Sequence, residues 1–330
     1  MTAADLPPPD YIRQIRDQIT GQRWMKLDGR LPARLPHVPE AEAALAQMDL
    51  HEVIAIYINW LLRHLPQEKR HLHLSDRIAP ALAGLSMRQR AGYELVCERL
   101  ASGGDLEPYL SRRVDRLWRP PLPERAGKPH PVLPLDGLLN DWGLHHLHLI
   151  AAHGRHRRHD AEDTPVLILA VRAGAAWLVD IVEHGIGHAA VWTDIALVET
   201  VLRNWPEAGL VHVLKQTDGC HWPELSAEEM RRLRDAGIPY ELCVDGLVIQ
   251  PEGMSASGVS GRLAHAVTAL TRALRQLQAE AEAGEGPLVH WLGHVGLPGR
   301  PAEWQVAINA SALVVWRPGS PRVTLMRWRP

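Results

Sequence analysis

The sequence predicts an α+β fold. Residues 1–119 read as a helical N-terminal domain, 120–134 as a proline-rich linker, and 135–330 as a mixed domain on a small antiparallel sheet with packed helices, open to a further division near 222–238. Three observations carry that expectation. Before residue 118, apolar residues recur at helical spacing behind capping pairs. Six prolines fall in the fifteen residues of 120–134, and proline's missing N–H suits neither a helix interior nor a sheet interior. Beyond them the apolar period shortens to alternating or continuous runs separated by turn residues.

In order along the chain, Asp10 caps a short helix over 11–19, stopped at Gly21. Asp49 and Glu52 form a capping box ahead of a helix over 50–65, whose Val53, Ile54, Tyr57, Trp60 and Leu61 share one face. His71–Leu74 alternates as a short strand. Ser86 and Gln89 cap a helix ended by Gly103 and Gly104, and a further helix spans 108–117. After a helical turn near 135–140, the segments 144–150, 165–171 and 177–182 suggest an antiparallel meander. Thr193 caps a helix stopped at Pro206, 209–215 alternates as a strand, and Ser226 with Glu229 caps a helix ending near Gly237. Asp245-Gly246 sits at the centre of a hairpin over 241–250. A long amphipathic helix starts near Gly261, and 305–328 reads as two or three strands.

Composition narrows the function classes. With 46% hydrophobic and 22% charged residues the chain can bury a core, and a net charge of −2 leaves no global attraction to nucleic acid or anionic lipid. No apolar run approaches the roughly 20 residues of a membrane helix, so no membrane association is expected. Cys97, Cys220 and Cys243 are far apart and make no Cys-x-x-Cys pair or disulfide framework; with an opening that lacks the layout of a signal peptide, they point to a cytoplasmic protein. Phenylalanine is absent while tryptophan occurs twelve times. Leucine and tryptophan must therefore fill the core, and each buried indole N–H needs an acceptor.

Chemistry concentrates in Asp141–Asp160, where six of the nineteen histidines fall between His145 and His159 among three arginines. On a strand, His146 and His148 share one face, and His145 joins Leu147 and Leu149 on the other. Two imidazoles at that spacing suit an acid and a base for cleavage of RNA through its own 2′-hydroxyl. Arg155, Arg157 and Arg158 would meet the phosphate charge with guanidinium forks. The alternative is a metal-dependent hydrolase in which His146 and His148 are joined by Asp180 or His184, since catalytic zinc takes three protein ligands.

The order of a histidine-bearing strand, basic loop, hairpin and helix resembles the small ribonuclease toxins of the RelE type over about residues 140–215. That resemblance implies a compact antiparallel sheet acting on mRNA and assigns no catalytic residue here. The expected partner is RNA or another nucleic acid, and no cofactor is expected. A reading from another class is a non-enzymatic protein that binds and blocks a cellular partner through its helical domain. Arg112, Arg116 and Arg119 line one helix face, and the Gly253–Gly261 loop lacks P-loop or dinucleotide spacing. Both read as solvated surface and connector, as do His71 and His73 on their short strand.

Overall fold

The structure, a computed structural model, describes residues 9–20, 48–110, 137–151, 165–172, 174–183, 191–216, 225–236, 238–251, 261–297, 299–309 and 311–328. It is an α+β protein, as the sequence predicts. Helix α1 (Tyr11–Thr20) starts behind Asp10, whose carboxylate accepts the Arg13 N–H at 2.8 Å. Helix α2 (Leu50–Arg63) opens on the expected box: Asp49 accepts from the Glu52 N–H, and Glu52 from the Asp49 N–H. Strand β1 (His71–Leu74) and the short α3 (Ile78–Ala83) follow. Helix α4 (Met87–Ser102) carries the Ser86/Gln89 box and ends on Gly103 at φ 79°. Where a helix over 108–117 is expected, a single 3₁₀ turn spans Glu107–Tyr109, and 111–117 lie outside the described residues.

Helix α5 (Gly137–Trp142) leads directly into the meander of β2 (Leu144–His148), β3 (Val166–Arg172) and β4 (Ala175–Val182). Helix α6 (Ile195–Asn204) is capped by Asp194, which accepts the Ala196 N–H; the expected cap, Thr193, lies inside the preceding 3₁₀ turn. Strand β5 (Val213–Gln216) and helix α7 (Ala227–Asp235), with its Ser226/Glu229 box, come next. Strands β6 (Leu242–Val244) and β7 (Leu247–Ile249) are joined by Asp245 at φ 48° and Gly246 at φ 76°, the left-handed pair that an Asp-Gly hairpin turn needs. Helices α8 (Gly261–Ala283) and α9 (Pro287–His294) precede β8 (Gln305–Ile308), β9 (Ala312–Trp316) and β10 (Val323–Arg327).

Among the described residues there are three sheets, in strand orders β1-β4-β3-β2, β5-β7-β6 and β10-β9-β8. The β2-β3-β4 meander is antiparallel, as expected. Strand β1 joins it in parallel, with His71 opposite Ala175 and His73 opposite Trp177.

The chain divides into two compact units at Leu61 and Leu263. One unit combines the residues up to Leu61 with those from Leu263 onward; the other, within the described residues, runs between them. Within the expected helical domain over 1–119, β1 and α4 belong with the central sheet, whereas α1 belongs with β8. The 120–134 linker lies outside the described residues. Periodicity reports the type of each element, whereas the units are set by pairings across hundreds of residues.

In the central unit, apolar side chains cover both faces of the sheet. Leu147, Leu149, Leu167, Leu169 and Leu178 pack with Tyr93, Val96 and Leu100 of α4. Leu144, Val166, Ile168 and Val179 pack with Val198, Val201 and Leu202 of α6 and with Met230, Leu242 and Ile249. This accounts for the unbroken apolar run of β3, since a strand covered on both faces has no polar side. Each such Leu, Ile or Val contributes about 1.5–3 kcal/mol on burial. Cys97 is free, whereas Cys243 on β6 is disulfide-bonded, which departs from the expectation of no disulfide framework. Among the described residues, no helix is long and apolar enough to cross a membrane.

Candidate functional site

Among the described residues, strand β2 ends the order of the four-stranded sheet, bridged by Leu110 at Leu147, with His145, His146 and His148 opposite Leu169, Ile168 and Val166 of β3. Alternation sorts them as the sequence predicts. Leu147 and Leu149 belong to the core against α4, so His145 faces that side. Leu144 belongs to the core against α6, so His146 and His148 face that one. The His146 and His148 rings have centroids 6.2 Å apart and are inclined at 70°. His148 is buried, at 9% exposure, while His146 is half-buried. The two imidazoles therefore differ in environment, and His146 is the one that meets solvent.

The strand is anchored from its N-terminal side. Gly143, at φ 67°, turns the chain from α5 into β2, and a Cβ there would come within 3.2 Å of the Arg262 guanidinium. One residue before Trp142, Asp141 is buried, with its carboxylate 2.8 Å from Arg234 Nε on α7, close but not aligned as a hydrogen bond. Arg234 lies over the Trp192 ring at 4.6 Å, and Trp142 Nε1 donates to the Trp192 carbonyl at 2.9 Å. Burial, with Asp141 adding to it and Arg234 opposing it, pushes the nearby Tyr240 hydroxyl well above the ordinary tyrosine range. Asp141 and Trp142 thus open the charge-rich stretch as structural anchors.

Asp180 sits at a β-bulge of β4, in the register row that runs through Ile168 to His146. Two strand spacings, roughly 9.5 Å, separate its backbone from that of His146. Its carboxylate accepts the Ile181 N–H at 2.8 Å and has Arg77 Nη2 at 2.7 Å. Burial raises its pKa, and the Ile181 N–H and Arg77 pull against that shift. Arg77 has no local sequence signal, because its partner is about a hundred residues away.

A buried carboxyl with a raised folded pKa holds its proton more tightly in the folded state. Its contribution to stability is therefore full below the unfolded value of about 3.9 and is lost as pH rises through the folded pKa. An Asp180→Asn variant should lose less stability than the wild type as pH rises from about 4 into the neutral range. Paired urea titrations at successive pH values check this; parallel stability curves would show that Asp180 has an ordinary pKa.

Among the described residues, no group of three or more His, Cys, Asp or Glu is placed to hold a metal. His146, His148 and Asp180 are therefore not a ligand set, and His184 lies outside the described residues. Strand parity puts the two histidines on one face, and β3, the middle strand of the expected meander, stands between them and Asp180. Arg155, Arg157 and Arg158 also lie outside the described residues, as do Arg112, Arg116, Arg119 and residues 253–260. His73 stacks on its strand neighbour Trp177, with centroids 5.3 Å apart and planes within 15°. No family model, curated protein or solved structure matches the chain.

Proposed function

We propose that the protein acts on nucleic acid and cleaves RNA without a metal, with His146 and His148 as the acid–base pair. The observation that supports this reading is the approach of the two rings to 6.2 Å on one strand face, one half-buried and one buried. One imidazole would take the proton of the 2′-hydroxyl as its oxygen attacks phosphorus; the other would protonate the departing 5′-oxygen. The P–O5′ bond breaks, leaving a 2′,3′-cyclic phosphate and a 5′-hydroxyl. Arg155, Arg157 and Arg158, seven to ten residues beyond His148 in the sequence, are the proposed cations against the developing charge.

Labelled RNA and DNA of one sequence, incubated with the protein in excess chelator, test this. RNA should be cut to cyclic-phosphate ends and DNA left whole, since DNA lacks the attacking hydroxyl. His146→Ala and His148→Ala should each lower the rate by about 10²–10⁴ with the fold retained by circular dichroism. Intact RNA, or equal cleavage by the double variant, would overturn the proposal.

A further inference from the structure

Helix α1 covers the outer edge of β8 in the manner of a neighbouring strand. Gln14 Oε1 accepts the Val306 N–H at 3.0 Å, Gln18 Oε1 accepts the Ile308 N–H at 3.0 Å, and Gln18 Nε2 donates to the Ile308 carbonyl at 2.8 Å. The match is geometric. Residues four apart on a helix are displaced by about 6 Å along its axis. Alternate residues on a strand, whose N–H and C=O groups share one edge, are about 6.7 Å apart. Two glutamines one turn apart can therefore serve successive backbone groups that a strand would otherwise bond. Tyr11, Ile15 and Ile19, all fully buried, hold the helix in place, and Tyr11 Oη donates to the Pro301 carbonyl at 2.6 Å.

We propose that the β8 edge is a masked self-association surface, and that Gln14 and Gln18 keep a second copy of this chain from pairing with it. The occupant follows from the edge itself. The segment Gln305-Val-Ala-Ile308 is uncharged, and Val306, Ala307 and Ile308 are buried. It therefore lacks the lysines or prolines that usually protect an edge. Its outward groups are also self-complementary. With two copies antiparallel about Ala307, Val306 of one faces Ile308 of the other, and both N–H and both C=O groups of each such pair are matched. Two three-stranded sheets would then become one sheet of six. This inference is independent of the histidine reading.

The test is a full-length Gln14→Met/Gln18→Met variant, which keeps the length and helix preference of both side chains and removes their hydrogen bonds. Hydrogen exchange at Val306 and Ile308 is followed against protein concentration alongside sedimentation. In the dilute variant, protection at these two amides should fall about ten-fold or more. It should return as a dimer forms at higher concentration, while wild-type protection stays independent of concentration. A variant that is monomeric at every concentration, folded or not, overturns the proposal. So does association that leaves Val306 and Ile308 unprotected.

Discussion

A Gly92→Ala variant should lose about 3 kcal/mol of stability or more, the upper end of what one added methyl costs in a packed interior. A Cβ at Gly92 would lie 1.6 Å from the Leu149 carbonyl oxygen and 2.7 Å from its carbon. Both are backbone atoms, so no rotamer change relieves the overlap and α4 must move away from the sheet. Leu149 directly follows His148, so the displacement also reaches the end of the histidine strand. Ala101→Gly, at an exposed site on the same helix, is the matched comparison and should cost only about 0.5–1 kcal/mol. Urea unfolding of the three proteins checks the difference; a Gly92→Ala protein as stable as the wild type would show that α4 is not seated against Leu149.

The second large effect is expected at Arg234. It is 91% buried beside an Asp141 that is 97% buried, and it spans from α7 to the helix that feeds β2. Arg234→Met keeps much of the apolar stem but withdraws the cation from a buried carboxylate, and should cost about 3–5 kcal/mol. The Asp141→Asn/Arg234→Met double variant should recover a substantial part of that loss, since a buried pair is worth little against neutral groups of similar size. Trp192 reports on the same site through its fluorescence, because the guanidinium lies over its ring. If the double variant is no more stable than Arg234→Met, the loss comes from packing and the charge pair is incidental.

Local rules carried far in this chain. The boxes at Asp49/Glu52, Ser86/Gln89 and Ser226/Glu229 need only four consecutive residues, and all three form. The Asp245-Gly246 hairpin and the two-sided parity of β2 are equally local. Legibility ended where pairing became remote. Strand β1 meets β4 across about a hundred residues, in a parallel sense that alternation alone cannot encode. Arg77 with Asp180, Arg234 with Asp141, and Gln18 with Ile308 are likewise contacts between distant segments. At the candidate site, the face shared by His146 and His148 and the meander that puts β3 between them and Asp180 were readable, whereas the partner of Asp180, Arg77, was not.

The pairing of α1 with β8 has a consequence during synthesis. Gln18 and Ile308 are 290 residues apart. At ribosomal speeds of roughly 5–20 residues per second, α1 waits on the order of 15–60 s before the strand it covers exists. Throughout that interval, the aromatic and aliphatic face formed by Tyr11, Ile15 and Ile19 lacks its destination. The central sheet, whose strands all lie between His71 and Val182, can close much earlier. The central sheet is thus expected to close first, with α1 docking on β8 long after it is made.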